Sequence, residues 1–294
     1  MWYTRYTKVC KEVYKMSKQK KKNEIQTIDL YKKYKEKNSS PIILSNMNFK
    51  GGASKTASTA LQSYELSNHD FKVLVIDNDP QANLTEFLLQ EKEFSYDISN
   101  LILDNEVTEK CILSIKENLD IIPSTLNYIY LDELNRSNKA VYNILKKKID
   151  EVKNEYDFIF IDVPPSININ LKLAIHACTH INLVVQTKMP SFYGSKKLIS
   201  WLESYLDEQD IDVNLIGIIQ TLTEPKKNKH EEVRKVISDY YKELTYKNYV
   251  AYSDRMDYLN NYGITDTEND YWSRVMLSNF NKLNDEMLNK ITSM

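Results

Sequence analysis

The sequence predicts a doubly wound α/β fold, one mostly parallel sheet flanked by helices on both faces. Three observations predict it. Short apolar, β-branched runs alternate along the chain with segments of helical spacing, the order that builds βαβ units. Glycines or aspartates stand at the C-terminal ends of three of those runs, where open α/β sheets bind their ligands. The chain has 294 residues, enough for a single α/β domain of about 250 residues with a full core.

Residues 1–22 carry Arg5 and lysines at 8, 11, 15, 18, 20, 21 and 22 against one acid, Glu12. Such a segment fits a basic arm on nucleic-acid phosphates, and equally a solvated leader, with Met16 available as a second start. Ile25, Ile28, Leu30, Tyr31 and Tyr34 have the spacing of a short amphipathic helix. Residues 1–39 are therefore expected to form a basic, partly helical extension, and 40–294 the main domain.

Pro41-Ile42-Ile43-Leu44-Ser45-Asn46 reads as a strand buried on both faces. It hands over through Phe49-Lys50-Gly51-Gly52-Ala53-Ser54-Lys55-Thr56 to a helix with Ala57, Ala60, Leu61 and Tyr64 on its apolar side. Two of the chain's five glycines sit together at this strand-to-helix junction. They let backbone N–H groups close around an anion at a helix N-terminus, so the stretch reads as a phosphate loop. In such loops the lysine, here Lys55, reaches the outer phosphates and the hydroxyl, here Thr56, holds Mg²⁺. Ser54 stands where the common pattern has glycine. A positive φ there would cost a serine on the order of 1 kcal/mol.

The next strand, Phe71–Ile76, ends in Asp77-Asn78-Asp79-Pro80-Gln81 ahead of a helix at Asn83–Gln90. Read alone, these residues fit either a carboxylate pair facing the ligand crevice or a capped turn. Residues 94–118 read as short helices, 119–124 as a strand and its turn, and Leu126–Asn135 and Val141–Val152 as helices. Phe158-Ile159-Phe160-Ile161 ends in Asp162-Val163-Pro164-Pro165, a carboxylate placed to bind Mg²⁺ directly or through water. A helix at Asn168–Ala177, a strand at Ile181–Val185, a helix at Ser191–Leu206 and a strand at Leu215–Gln220 continue the alternation. Trp272–Met294 reads as a core-packing final helix.

Lys50-Gly51-Gly52-x-x-Lys55-Thr56 resembles the deviant Walker A of the ParA/MinD family of ATPases. Asp77-x-Asp79-Pro80-Gln81 and Asp162-x-Pro164-Pro165 are similar to the second and third motifs of that family, in the same order. The resemblance covers roughly residues 40–294 and is nearest to small partition ATPases without a large N-terminal repressor domain. It implies ATP and Mg²⁺ as cofactors, with Gly51, Gly52, Ala53, Ser54, Lys55, Thr56 and Ala57 holding the nucleotide and Thr56, Asp77 and Asp162 serving the metal. It implies catalytic roles for Lys55, for Asp79 orienting the attacking water, and for Lys50 reaching across a nucleotide-sandwich homodimer. The implied activity is slow, partner-stimulated ATP hydrolysis that controls non-specific DNA binding, the partner being a centromere-binding ParB-like adaptor.

Two alternatives stay open: a nucleotide-binding assembly scaffold with little turnover, permitted by Ser54, and a tyrosine kinase-like enzyme, suggested by Tyr240, Tyr241, Tyr246, Tyr249, Tyr252, Tyr258 and Tyr262. Lys226, Lys227, Lys229, Arg234, Lys235, Arg255 and Arg274 fit a DNA-facing surface or an ordinary charged exterior. No run of 18 apolar residues occurs, and the mixed charges of the final helix do not favour a membrane anchor, so a cytoplasmic, nucleoid-associated protein is expected. Three scattered cysteines argue against a disulfide framework, and His176, Cys178 and His180 fall on different elements rather than forming a metal site.

Overall fold

The computed structural model describes residues 26–38, 40–90, 92–133, 139–224, 227–254, 263–264 and 271–294. An eight-stranded sheet with the order β3-β4-β2-β5-β1-β6-β7-β8 organises them. Its strands are β1 Ile42–Met47, β2 Val73–Asp77, β3 Leu113–Lys116, β4 Leu119–Ile122, β5 Phe158–Asp162, β6 His180–Gln186, β7 Asn214–Thr223 and β8 Thr245–Ala251. Neighbours pair in parallel apart from the antiparallel β3–β4 hairpin.

Alternation along the central strands divides the apolar residues between two cores. Ile42 and Leu44 of β1, Val73 and Val75 of β2, and Phe158 and Phe160 of β5 face one side. That side is covered by α1 (residues 26–37), α2 (Lys55–Ser67), α3 (Asn83–Leu89) and α9 (Tyr271–Ser293). Ile43, Leu74, Ile76, Ile159 and Ile161 face the other, beneath α4 (Ile98–Leu103), α5 (Ile144–Val152), α6 (Ile169–Ala177), α7 (Met189–Gln209) and α8 (Asn228–Tyr241). Helix α1 is seated firmly: Leu30, Tyr31 and Tyr34 are buried, the Tyr31 ring packs on Phe71 and Phe158, and its hydroxyl donates to Asp157 at 2.8 Å. The basic residues 1–22 lie outside the described residues.

Helix α2, which carries the phosphate loop's lysine and threonine, is buried along almost its whole length, polar residues included. Gln62 and Asn284 of α9 bond reciprocally, Gln62 Nε2 to Asn284 Oδ1 and Asn284 Nδ2 to the Gln62 carbonyl, both at 3.1 Å. Asn46 of β1 donates to Thr59 and Gln62. These bonds satisfy amides that would otherwise be costly to bury.

The structure adds two strands to the expected set, β3 and β8. Each lies at a sheet edge and is short or polar, so neither offers the continuous apolar run of a central strand. The turn that leads into β8 approaches β7 so closely that a Cβ on Gly217 would meet the Leu244 carbonyl oxygen at 2.1 Å, which favours glycine there. The segments expected as helices at 126–135 and 141–152 begin as 3-10 turns, Leu126–Glu133 and Lys139–Asn143, before α5. No helix among the described residues is long and apolar enough to cross a membrane.

His180 opens β6 buried, with Nδ1 2.8 Å from the Thr179 hydroxyl. Burial lowers its pKa to about 4. Because the folded value lies below that of a free histidine, the unfolded chain binds the extra proton first, and stability is lost as pH falls from about 6.5 towards 4. Urea denaturation of the natural protein and His180→Gln at a series of pH values is expected to show the stability of the natural protein relative to the variant falling by up to about 3 kcal/mol between about pH 6.5 and 4, the raised carboxyls common to both cancelling in the difference.

Candidate functional site

The phosphate loop leaves β1 at Met47 and turns on Gly52, whose φ is 68°. Asn48 starts the turn: its Oδ1 accepts from the Lys50 N–H at 2.9 Å, and its amide donates to the Val184 carbonyl. Gln186 at the end of β6 donates to the Gly52 carbonyl at 2.6 Å, and Thr221 on β7 donates to the Ala53 carbonyl at 3.1 Å. These bonds engage two loop carbonyls with protein donors. Sequence reading had no route to Gln186 and Thr221, which lie 134 and 168 residues along the chain from their loop partners and belong to no local motif.

Ser54 adopts the left-handed conformation, φ 65° and ψ 27°, and caps α2 without a side-chain capping bond. This is the conformation whose cost the sequence reading anticipated. The conformation is common only for glycine, and costs other residues about 1 kcal/mol or more.

Lys55 and Thr56 follow on the first turn of α2. Lys55 is buried, and that burial lowers its pKa, while Asp162 and Asp79 pull it back up. Thr56 donates to Asp162 Oδ2 at 2.7 Å. Asp162 is wholly buried, and its Oδ1 has no hydrogen-bond partner. Burial pushes this carboxyl up to about 6. Asp77 is its neighbour in the parallel register of β2 and β5. Burial, and then the charge of Asp162, push Asp77 up to about 8. The two oxygens of Asp77 are held by the protein: one accepts from the N–H and hydroxyl of Thr85 at 2.8 and 2.7 Å, the other from the Asp79 N–H at 3.2 Å. Asp79 accepts from the Gln81 N–H at 2.9 Å, and burial raises its pKa.

The expected residues thus meet at one place. Gly51, Gly52, Ala53, Ser54, Lys55, Thr56, Ala57 and Asp79 line a single cavity of about 610 Å³, continued by Phe87, Leu222 and Tyr252. Lys50 stands exposed at the mouth of the loop. Asp77 and Asp162 lie behind, at the strand ends. Among the described residues no group of three His, Cys, Asp or Glu that could hold a metal occurs. The oxygen donors available, the Thr56 hydroxyl and the unpartnered oxygen of Asp162, fit Mg²⁺, which commonly completes its shell with phosphates and waters.

Away from this cavity the expected surfaces are only partly available. Lys227 pairs with Glu224 at 2.8 Å, and Arg234 pairs with Glu231 at 2.9 Å while covering the Tyr249 ring. Lys229 and Lys235 are exposed, and Lys226 and Arg255 lie outside the described residues. Of the clustered tyrosines, Tyr241 and Tyr246 are buried and Tyr240 and Tyr252 exposed; Tyr258 and Tyr262 lie outside the described residues.

Comparison with known proteins places this geometry. A family described as AAA domain matches residues 42–215. The sporulation initiation inhibitor protein Soj of Bacillus subtilis is 27% identical over 220 residues, 73% of this chain and 85% of that protein. Among solved structures, the ATP complex of an aspartate-to-alanine variant of Cyanothece McdA superposes with a TM-score of 0.75 at 21% identity, covering 86% of this chain and 98% of that one. A putative plasmid partition protein from Borrelia burgdorferi bound to AMPPNP superposes at 0.68, also at 21% identity, covering 82% and 96%. At that identity the structural likeness shows the fold. With the family match spanning more than half of the chain, the chain belongs to the ParA-type partition ATPases.

The strain at Ser54 is testable without nucleotide. Ser54→Gly is expected to raise stability by about 0.5 kcal/mol, the relieved strain being partly cancelled by glycine's larger unfolded-state entropy. Ser54→Val, which places a β-branched residue at positive φ, is expected to lower it by roughly 1–2 kcal/mol. Thermal denaturation of the three proteins reads both changes.

Proposed function

We propose that this ParA-type chain is an ATP-dependent DNA-segregation protein, in which nucleotide state sets how firmly the protein holds DNA. The observation that carries the reading is one cavity lined by the loop from Gly51 to Ala57, the buried Lys55 and Asp79, with Thr56 tied to Asp162 behind it and the exposed Lys50 preceding the loop glycines in the chain. Phosphoryl transfer asks for positioning and charge neutralisation, and these residues supply both.

In this reading the loop N–H groups from Gly51 to Ala57 and the Lys55 ammonium bind the phosphate chain of ATP. Thr56 and Asp162 hold Mg²⁺, while Asp77 fixes the strand end from behind through Thr85 and the Asp79 N–H. When bound, the metal neutralises phosphate charge. Asp79 orients the attacking water, accepting a hydrogen bond from it at the cavity wall. Lys50, whose side chain is exposed, reaches the nucleotide of a second copy, so that two chains close over two nucleotides. Closure brings two weakly basic surfaces onto one DNA, and affinity rises steeply with the number of phosphates contacted. Hydrolysis is slow and is stimulated by a ParB-like adaptor, and it releases the DNA.

A second reading takes support from Ser54. A strained residue in the loop favours a nucleotide-binding scaffold with little turnover. Sustained absence of phosphate release alongside intact ATP binding would select it.

Non-specific duplex DNA binding should be measured at one fixed salt concentration with ATP and with ADP, and for Lys55→Ala with ATP. Binding is expected to be about tenfold or more tighter for the natural protein with ATP than in either of the other two. Equal binding in all three overturns the switch.

A further inference from the structure

One segment, residues 124–128 after β4, reaches the loop that carries Asp77 and Asp79 by two separate routes. In the first, the Ser124 N–H donates to Thr85 Oγ1 at 2.8 Å, and that hydroxyl donates onward to Asp77 Oδ2 at 2.7 Å. In the second, the Tyr128 hydroxyl donates to Asn78 Oδ1 at 2.9 Å. Asn78 lies between the two aspartates, and its remaining groups are also fastened. Its Nδ2 donates to the Asn170 carbonyl at 2.7 Å, and its backbone N–H to the Asp162 carbonyl at 3.1 Å.

Tyr128 and Asn78 are both fully buried. Tyr128 belongs to the apolar core beneath α4, α5 and α6, which a phenylalanine would fill about as well, while Asn78 makes its bonds to Tyr128 and to the Asn170 and Asp162 carbonyls. A buried polar pair contributes little net stability over an apolar pair of the same shape, whereas leaving one member alone is costly. What the pair does supply is direction, because it ties the one residue between the aspartates to a fixed point in the core.

We propose that Tyr128 is a positioning residue for Asp79, acting through Asn78. Resting on the ATPase reading above, it holds the Asp77-Asn78-Asp79 turn so that the Asp79 carboxylate keeps its angle to the cavity. It touches neither nucleotide nor metal. Its removal therefore bears on turnover and leaves ATP binding to the phosphate loop.

The test compares the natural protein with Tyr128→Phe, Asn78→Leu and the double variant, all as full-length chains. Three quantities are read: the rate of phosphate release, ATP affinity by calorimetry, and amide hydrogen exchange of the peptide spanning residues 77–83. Tyr128→Phe is expected to lower kcat about 5- to 10-fold, with ATP affinity changed less than about twofold and exchange of that peptide about tenfold faster. The double variant is expected to be no worse than Asn78→Leu alone, since Asn78→Leu already gives up both the Tyr128 bond and the bond to the Asn170 carbonyl, and removing the Tyr128 hydroxyl then takes away a donor that has no acceptor left. Unchanged exchange in Tyr128→Phe, additive effects in the double variant, or loss of ATP affinity in step with kcat would each overturn the proposal. A natural protein that binds ATP without releasing phosphate would overturn the ATPase reading instead, and exchange and coupling would then decide the role of Tyr128.

Discussion

Asp162 is the point on which the site depends. It is a wholly buried carboxylate with one oxygen given to Thr56 and the other to no protein donor. Parallel pairing sets Asp77 beside it in register, so two acids share a dry strand end, with the Lys55 ammonium as the compensating charge that acts on Asp162. Burial is what chiefly raises the pKa of both carboxyls, and at Asp77 the charge of Asp162 adds to it. A divalent cation seated between Asp162 and a phosphate chain would offset the cost of that burial. The protein's own charges thus leave the strand end unbalanced, and cation binding completes it.

The sheet supplies the rigidity that makes this arrangement reproducible. Every group that shapes the loop hangs from a strand end: Asn48 after β1, Gln186 on β6, Thr221 on β7 and Asp162 on β5. Helix α2 is held in turn by α9 through the reciprocal Gln62–Asn284 bonds. The C-terminal helix therefore reaches the nucleotide site through one intervening helix, although its own residues do not line the cavity.

Much of this was legible in the chain. Central strands such as Ile42–Met47 and Phe158–Asp162 announce themselves because burial on both faces demands continuous apolar runs, and the phosphate loop is visible because its chemistry is local in sequence. β3 and β8 were not legible, since an edge strand can be short or polar. Nor were Gln186, Thr221 and Tyr128. Each contributes one side-chain hydrogen bond across a large sequence separation, and a single glutamine, threonine or tyrosine has no pattern by which to be recognised. Asp77 shows an intermediate case, for its place at a strand end facing the ligand crevice followed from the motif while the occupation of both its oxygens by Thr85 and Asp79 did not.

The left-handed serine at position 54 bears on how such proteins are found. What the turn demands is a backbone shape, and glycine is merely the residue that adopts it at least cost. A search that insists on the letter G before the lysine would pass over this chain and any other that has made the same exchange. Screening by geometry, with serine, asparagine and aspartate admitted at that place, would recover them.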